Sequence, residues 1–261
     1  VLRDAGVTFH QIDAAAARSI EPALNQDTAF AGAIHLPDDG VGNCRQFALM
    51  LRRQAEALGA TFKFNTTVAR ISASPEATVS IANEATPRRF DAIVVCAGLA
   101  SAALLRPLGV KIPMAAVYGY SISANIREPL NAPRSAVMDE RYKVAISRLG
   151  LRVRVAGSAE IGGRLDTKRP AALQTLYKVL HDWFPGAAQM SGGVQEWKGA
   201  RPMLPDGPPI VGASGVPGIW LNLGHGSSGW ALSCGSARAV ADLVGGRTPD
   251  VDLQGLGIER L

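Results

Sequence analysis

Apolar residues recur at three- and four-residue spacing over residues 43–58, where Phe47, Met50, Leu51, Ala55 and Leu58 form one stripe. Gln54 interrupts that stripe, and Arg52, Arg53 and Glu56 lie elsewhere on the circumference, so the pattern predicts an amphipathic helix. Gly59 stands where a left-handed residue would close it. A second helix is predicted over 170–184, with proline in its first turn and Leu173, Leu176, Tyr177 and Leu180 on one face. Near the start, residues from Val1 read as the end of a helix, followed by a strand at 8–12 and a helix that Asp13 caps and Pro22 ends. Further strands are predicted at 29–36, 61–64, 68–73 and 78–82, and 117–124 alternates loosely. Alternation over 144–148 and 152–156, around Leu149-Gly150-Leu151, predicts a hairpin with one wet or cavity-lining face. The run from Phe90 to Gly98 is continuously apolar, which predicts a strand buried on both faces, as in a parallel sheet. Ligands in such sheets bind beyond the carboxyl ends of the strands, which marks Ala97, Gly98 and Ser101; a plain strand-to-helix turn fits the segment equally well.

One stretch organises the end of the chain. An apolar strand beginning at Gly218 runs into Gly224-His225-Gly226-Ser227-Ser228-Gly229-Trp230, and a small-residue helix is predicted over 231–246. Gly224, Gly226 and Gly229 spell G-x-G-x-x-G between strand and helix. A dinucleotide fingerprint also requires a second strand closed by an acidic residue about twenty residues on. Here Gly245-Gly246-Arg247-Thr248-Pro249 follows, and no strong strand comes before Leu261. The stretch therefore reads as a cofactor loop of another kind.

Composition narrows the classes. A chain of 261 residues, 47% hydrophobic and 19% charged, is ordinary for a globular protein of one large or two modest domains. No apolar run approaches the roughly 18 residues of a membrane helix. A net charge of +5 suits acidic ligands, a phosphate-bearing cofactor or an anionic membrane surface. The basic residues are scattered and not interleaved with aromatics, which argues against nucleic acid as a partner. Cys44, Cys96 and Cys234 are odd in number and far apart, which favours a reducing, cytoplasmic compartment over a disulfide frame. No His/Cys/Asp/Glu group has metal-ligand spacing, and there is no G-x-S-x-G elbow. His10, His35 and His181 read as structural, whereas His225, between two glycines, is placed to touch a ligand. Arg201-Pro202 offers a planar fork that suits a carboxylate, or that bonds loop carbonyls.

Taken together, 37–40 (Pro-Asp-Asp-Gly), 90–98, 142–148, 201–207 and 224–230 occur in an order and spacing that resemble the FAD-dependent D-amino acid oxidase superfamily. The likeness is closest to the bacterial D-amino acid dehydrogenase small subunits, spans essentially all 261 residues, and corresponds to about the C-terminal three-fifths of such proteins. It implies an α/β fold, α+β overall. A split FAD-binding domain of the glutathione-reductase-like type would use 30–112 and 200–261, an antiparallel substrate domain 113–199, and connecting elements 1–29. It also implies non-covalent FAD, since no cysteine lies near 201–207. Gly224, His225, Gly226, Ser228, Gly229 and Trp230 match the loop that faces the flavin ring. Val68 matches the strand meeting the adenine, and Ala97-Gly98 the turn near the dinucleotide. Arg201 matches the arginine that holds the substrate carboxylate, with Tyr142 and Arg148 lining the pocket. An amino acid is then the substrate, and a quinone or other respiratory acceptor takes the electrons, with peripheral association at the inner membrane. A glycine or sarcosine type of amine oxidase, and a non-catalytic subunit completed by another chain, are the competing expectations. Such families carry their own G-x-G-x-x-G βαβ unit, expected upstream of Val1, so this chain alone is expected to hold FAD weakly and to be inactive.

Overall fold

The computed structural model describes residues 1–261. In chain order the elements are β1 (His10–Asp13), α1 (Ala14–Ile20), β2 (Gly32–His35), α2 (Cys44–Ala57), β3 (Val68–Ser72), β4 (Thr78–Ile81), β5 (Arg88–Arg89) and β6 (Ile93–Val95). They continue as α3 (Ala100–Leu105), β7 (Ala115–Asn125), β8 (Ala136–Asp139), β9 (Val144–Leu149), β10 (Arg152–Ile161), α4 (Pro170–Trp183), β11 (Gln195–Met203), β12 (Ile210–Ala213), β13 (Ile219–Leu223) and α5 (Gly229–Val244). This is an α/β fold with antiparallel sheets, divided into two compact units, Val1–Leu51 with Tyr118–Gly199, and Arg52–Val117 with Ala200–Leu261.

The first unit is built on a five-stranded sheet in the order β11-β7-β10-β9-β8. Antiparallel β9 and β10 join through Gly150 and Leu151, and Gly150 takes φ +61, which a side chain would resist. Alternation decides the faces: Val144, Ile146, Val153 and Val155 point into the core. Leu173, Leu176, Val179 and Leu180 of α4 enter the same cluster, each side chain contributing about 1.5–3 kcal/mol by burial. Asp139 and Lys198, taken into this unit, are satisfied. Asp139 accepts from the amides of Arg141 (2.9 Å) and Tyr142 (3.0 Å) and from Trp183 Nε1 (2.7 Å). Lys198 pairs with Glu160 at 2.9 Å and donates to the carbonyls of Arg164 and Thr167 at 2.6 Å each, while Tyr120 donates to Glu160. A two-stranded sheet, β1 against β2, and α1 complete the unit; Asp13 caps α1 by accepting from the Ala16 amide at 2.8 Å.

The second unit holds two three-stranded sheets, the meander β3-β4-β5 and the mixed sheet β12-β13-β6. β13 is central: Ile219, Leu221 and Leu223 enter a core with Val95, Leu105, Ile112, Leu204 and Ile210. Trp220 takes the other face, with Val211 and with Ala239 and Val240 of α5. β6 runs parallel to β13, register Ile93↔Ile219 to Val95↔Leu221, and forms the edge of its sheet.

Residues from Val1 form turns bonded Ala5 N–H to Val1 O, Gly6 N–H to Arg3 O and Val7 N–H to Leu2 O around Gly6 at φ +70, the bonding of a helix's last turn, as expected. Two local expectations are corrected. Residues 61–64 form no strand and join no sheet, pairing being a property of two segments. The strand read as buried on both faces is only Ile93–Val95, an edge strand with Val94 exposed.

Candidate functional site

β13 delivers the chain into a loop held by glycine geometry. Gly224 has φ +76, and a Cβ there would lie 2.5 Å from Leu204 Cδ1. Gly226 has φ +53, and its Cβ would meet Met203 Sδ at 2.4 Å. Any other residue at either position meets both backbone strain and a clash. The loop is laced to the end of β11: Gly226 N–H donates to Pro202 O at 3.1 Å, and Met203 pairs with His225 as an isolated bridge. The structure thus brings together Arg201-Pro202-Met203 and Gly224 to Gly226, segments far apart in sequence. Arg260, ion-paired to Asp206 at 2.6 Å and donating to Pro208 O at 2.6 Å, braces the proline-rich turn that follows.

The loop opens α5. Ser228 N–H donates to His225 O at 3.0 Å, the Ser228 side chain makes no capping bond, and the helix begins at Gly229. The first amides of a helix have no intrahelical acceptor and carry the positive end of its dipole, so this terminus attracts electron-rich groups. Burial lowers the pKa of His225, whose Nε2 lies 3.0 Å from Ser236 Oγ, so the imidazole is neutral at pH 7. Neutrality suits its position, because a second positive charge beside the helix terminus would be repelled. Burial also lowers the pKa of the Arg201 guanidinium, which nonetheless stays charged. Trp230, half exposed, stands in the first turn of α5.

Parallel strands emerge at the same end of their sheet, and the register places Gly98 and Gly224 at equal distances past the last pair, Val95↔Leu221. Gly98 has φ +56, with nothing within 4 Å of a Cβ built there. Ala97 O and Gly98 O accept from Ala100 N–H and Ser101 N–H at 3.1 Å, and the buried Ser101 Oγ has no hydrogen-bond partner. Val68 lies in the separate meander sheet, paired with Ile81. Tyr142 and Arg148 belong to the first unit. The guanidinium of Arg141 and the ammonium of Lys178 stand 5.3 and 5.4 Å from the Tyr142 ring, and Arg148 Nε donates to Gly150 O at 3.2 Å, bracing its own hairpin. Sequence reasoning passed over Leu204, Ser236 and Arg260, whose partners lie far from them along the chain. For Leu204, the requirement for glycine at 224 was the one signal that pointed to it.

A family model described as FAD dependent oxidoreductase matches residues 1–243. The chain is 41% identical over its whole length to a D-amino acid dehydrogenase of Bradyrhizobium diazoefficiens, covering 62% of that protein. It is 43% identical to a D-amino acid dehydrogenase of Cereibacter sphaeroides, covering 60% of it. The chain therefore spans about three-fifths of the length of these relatives. Among solved structures, a glycine oxidase from Geobacillus kaustophilus superposes with a TM-score of 0.88 at 23% identity, over 100% of this chain and 69% of that one, which establishes likeness of fold. No helix is long and apolar enough to cross a membrane. With its glycine loop bound to the arginine strand and a family match that runs through both, the chain belongs to the family of FAD-dependent oxidoreductases.

Proposed function

We propose that the protein of which this sequence forms at least a part oxidises the CH–NH2 group of D-amino acids, giving a 2-oxo acid and ammonia. The observation carrying the reading is the Gly226 N–H to Pro202 O bond, which fixes a cation and an open helix N-terminus to one piece of backbone. The residues present fit a flavin. The side-chain-free turns at Gly98 and Gly226 and the start of α5, which has no side-chain cap, offer backbone donors to a flat, electron-rich group, and the buried Ser101 Oγ behind the Gly98 turn is left without a partner. Residues 30–112 and 200–261 are then the cofactor domain and 113–199 the substrate domain. Ala97, Gly98, Gly224, His225, Gly226, Ser228, Gly229 and Trp230 would hold the cofactor, and Val68 its adenine end.

FAD, when bound, supplies the two-electron acceptor. The rest falls to the chain's own residues. Arg201 binds the substrate carboxylate through its planar fork, in surroundings that already strip part of its water, and so fixes the orientation of the α-carbon. The amides at the start of α5 stabilise negative charge accumulating against them. His225 keeps the loop neutral and, through Ser236, ties it to α5. Tyr142 and Arg148, both of the first unit, are the further residues assigned to the substrate in this reading. The relatives' name, dehydrogenase, favours an acceptor other than dioxygen, which in this reading is a respiratory one such as a quinone, met at the inner membrane surface; an oxygen electrode separates this from the amine-oxidase alternative.

In a full-length protein carrying this sequence, Arg201→Ala is expected to raise KM for D-amino acids about 100-fold or more, as loss of a charge-assisted bidentate contact does, with FAD still bound. Unchanged KM removes Arg201 from substrate binding.

A further inference from the structure

We infer that Arg154, with the hydroxyl of Ser147 beside it, binds a carboxylate of the amino-acid substrate on the outer face of the five-stranded sheet. The inference rests on the proposed oxidation for the identity of its ligand, and its residues lie in the first unit.

Strand alternation sets the position. Val153 and Val155 of β10 enter the core with α4, so Arg152, Arg154 and Ala156 stand on the opposite face of the sheet. The two arginines differ in what they hold. Arg152 spends its fork inside the protein: Nε donates to Ser123 Oγ at 2.9 Å and Nη1 to Asn125 Oδ1 at 2.7 Å, while Nη2 donates to Ser123 O at 2.7 Å and Gly193 O at 3.3 Å. The Arg154 side chain is partly buried yet makes no hydrogen bond, ion pair or ring contact. The side chain of Ser147, its register partner on β9, makes none either. A guanidinium drawn partly out of water without partners carries a desolvation cost that a bound anion offsets. Its planar fork matches a carboxylate with two parallel bonds, and the serine hydroxyl adds a third donor.

Shape and charge agree on this ligand. The next cross-strand pair, Ala145 with Ala156, is small on both sides, so neither side chain fills the space beside the fork. The acids that strands β7 to β11 carry are spent elsewhere: Asp139 on Trp183 Nε1, Glu160 on Lys198, and Glu196 on the Tyr177 hydroxyl at 2.8 Å. These strands therefore bring cations to the outer face and no counter-ion. With the α-carboxylate assigned to Arg201 in the proposed reaction, the free fork falls to the side-chain carboxylate of D-aspartate and D-glutamate.

The test uses a full-length protein carrying this sequence, with D-glutamate, its neutral isostere D-glutamine, and D-alanine as substrates. Arg154→Met is expected to raise KM for D-glutamate about 10- to 100-fold, as loss of a charge-assisted contact does, and to leave kcat and the other two KM values little changed. Ser147→Ala is expected to have a smaller effect in the same direction, and Arg154→Lys, which keeps the charge and loses the fork, an intermediate one. Equal rises for every substrate keep the site and give it the α-carboxylate. Unchanged KM for every substrate oxidised overturns the inference. A second measurement needs no turnover. Phenylglyoxal, read by peptide mass spectrometry, is expected to modify Arg154 faster than the bonded Arg152, and glutarate is expected to slow that modification saturably. Labelling of Arg154 that neither glutarate nor acetate slows overturns the inference whether or not the protein turns over. Saturable protection without oxidation of any D-amino acid keeps the site and sinks the proposed reaction; oxidation without protection does the reverse.

Discussion

The five-stranded sheet of the first unit and the sheet β12-β13-β6 of the second differ in where each strand finds its neighbours. β8, β9 and β10 are consecutive and antiparallel, so each pairs with the next stretch of chain. β6 meets β13 in parallel only after the whole of 118–199 has intervened. In the first sheet β8, β9 and β10 are stocked from local sequence while β7 and β11 join from farther along the chain, and its buried ions are paired and hydrogen-bonded. The second keeps an open apolar edge at β6. Parallel pairing thus makes a fold dependent on distant segments, where hairpins make it self-sufficient.

That contrast breaks most sharply at Lys198. Lys198→Met leaves Glu160, in a buried site, with only Tyr120 and the exposed Arg169 at 3.6 Å as partners, so a large fall in melting temperature is expected, exceeding that of any glycine or histidine change in the second unit and confined to the first unit by hydrogen exchange. The double change with Glu160→Gln is expected to recover part of the loss; full loss in both would show the ion pair to be incidental. Next come the glycines of the second unit. Gly224→Ala, strained at φ +76 and pressed on Leu204, is expected to cost roughly 2–4 kcal/mol, whereas Gly98→Ala, at φ +56 with open space, costs about 1–2 kcal/mol. Equal costs in denaturant melts would mean that Leu204 yields freely.

A smaller effect follows from His225. Its folded pKa lies below the ordinary value of about 6.5, so the unfolded chain takes up a proton there that the folded one resists. Stability contributed by the neutral ring is therefore full above pH 7 and lost as pH falls through 6.5 toward the folded value. His225→Gln is expected to flatten that slope in melts from pH 7.5 to 5, and an unchanged slope would assign it elsewhere. Smallest of all, Leu58→Ser is expected to stay within about 0.5 kcal/mol, because the side chain is exposed.

Elements governed by short-range rules were legible in the sequence. The Asp13 cap, the left-handed Gly59 at φ +93, the β9–β10 turn and the helix after Pro170 each depend on residues a few places apart. β11 was not read as a strand, because Gly199 and Pro202 argue against one; its place at the sheet edge makes the missing proline N–H harmless. Residues 61–64 were overread for the opposite reason: their pattern suits a strand, but pairing is a property of two segments. The candidate site divides in the same way. The glycine loop and Arg201-Pro202 stand out as contiguous letters, while the bond from Gly226 to Pro202 and the contact of His225 with Ser236 exist only after folding.

The parallel pairing of β6 with β13 also sets a schedule for synthesis. At about 5–20 residues per second, on the order of ten seconds pass between the translation of Ile93 and that of Ile219, its partner. For that interval Ile93-Val94-Val95 has no strand of its own sheet, while the β8–β9–β10 hairpins emerge and close behind it. Translation speed through 118–199 is therefore a control on yield: slow codons there lengthen the exposure of an apolar strand, and a holdase that shields it stands in for the missing neighbour.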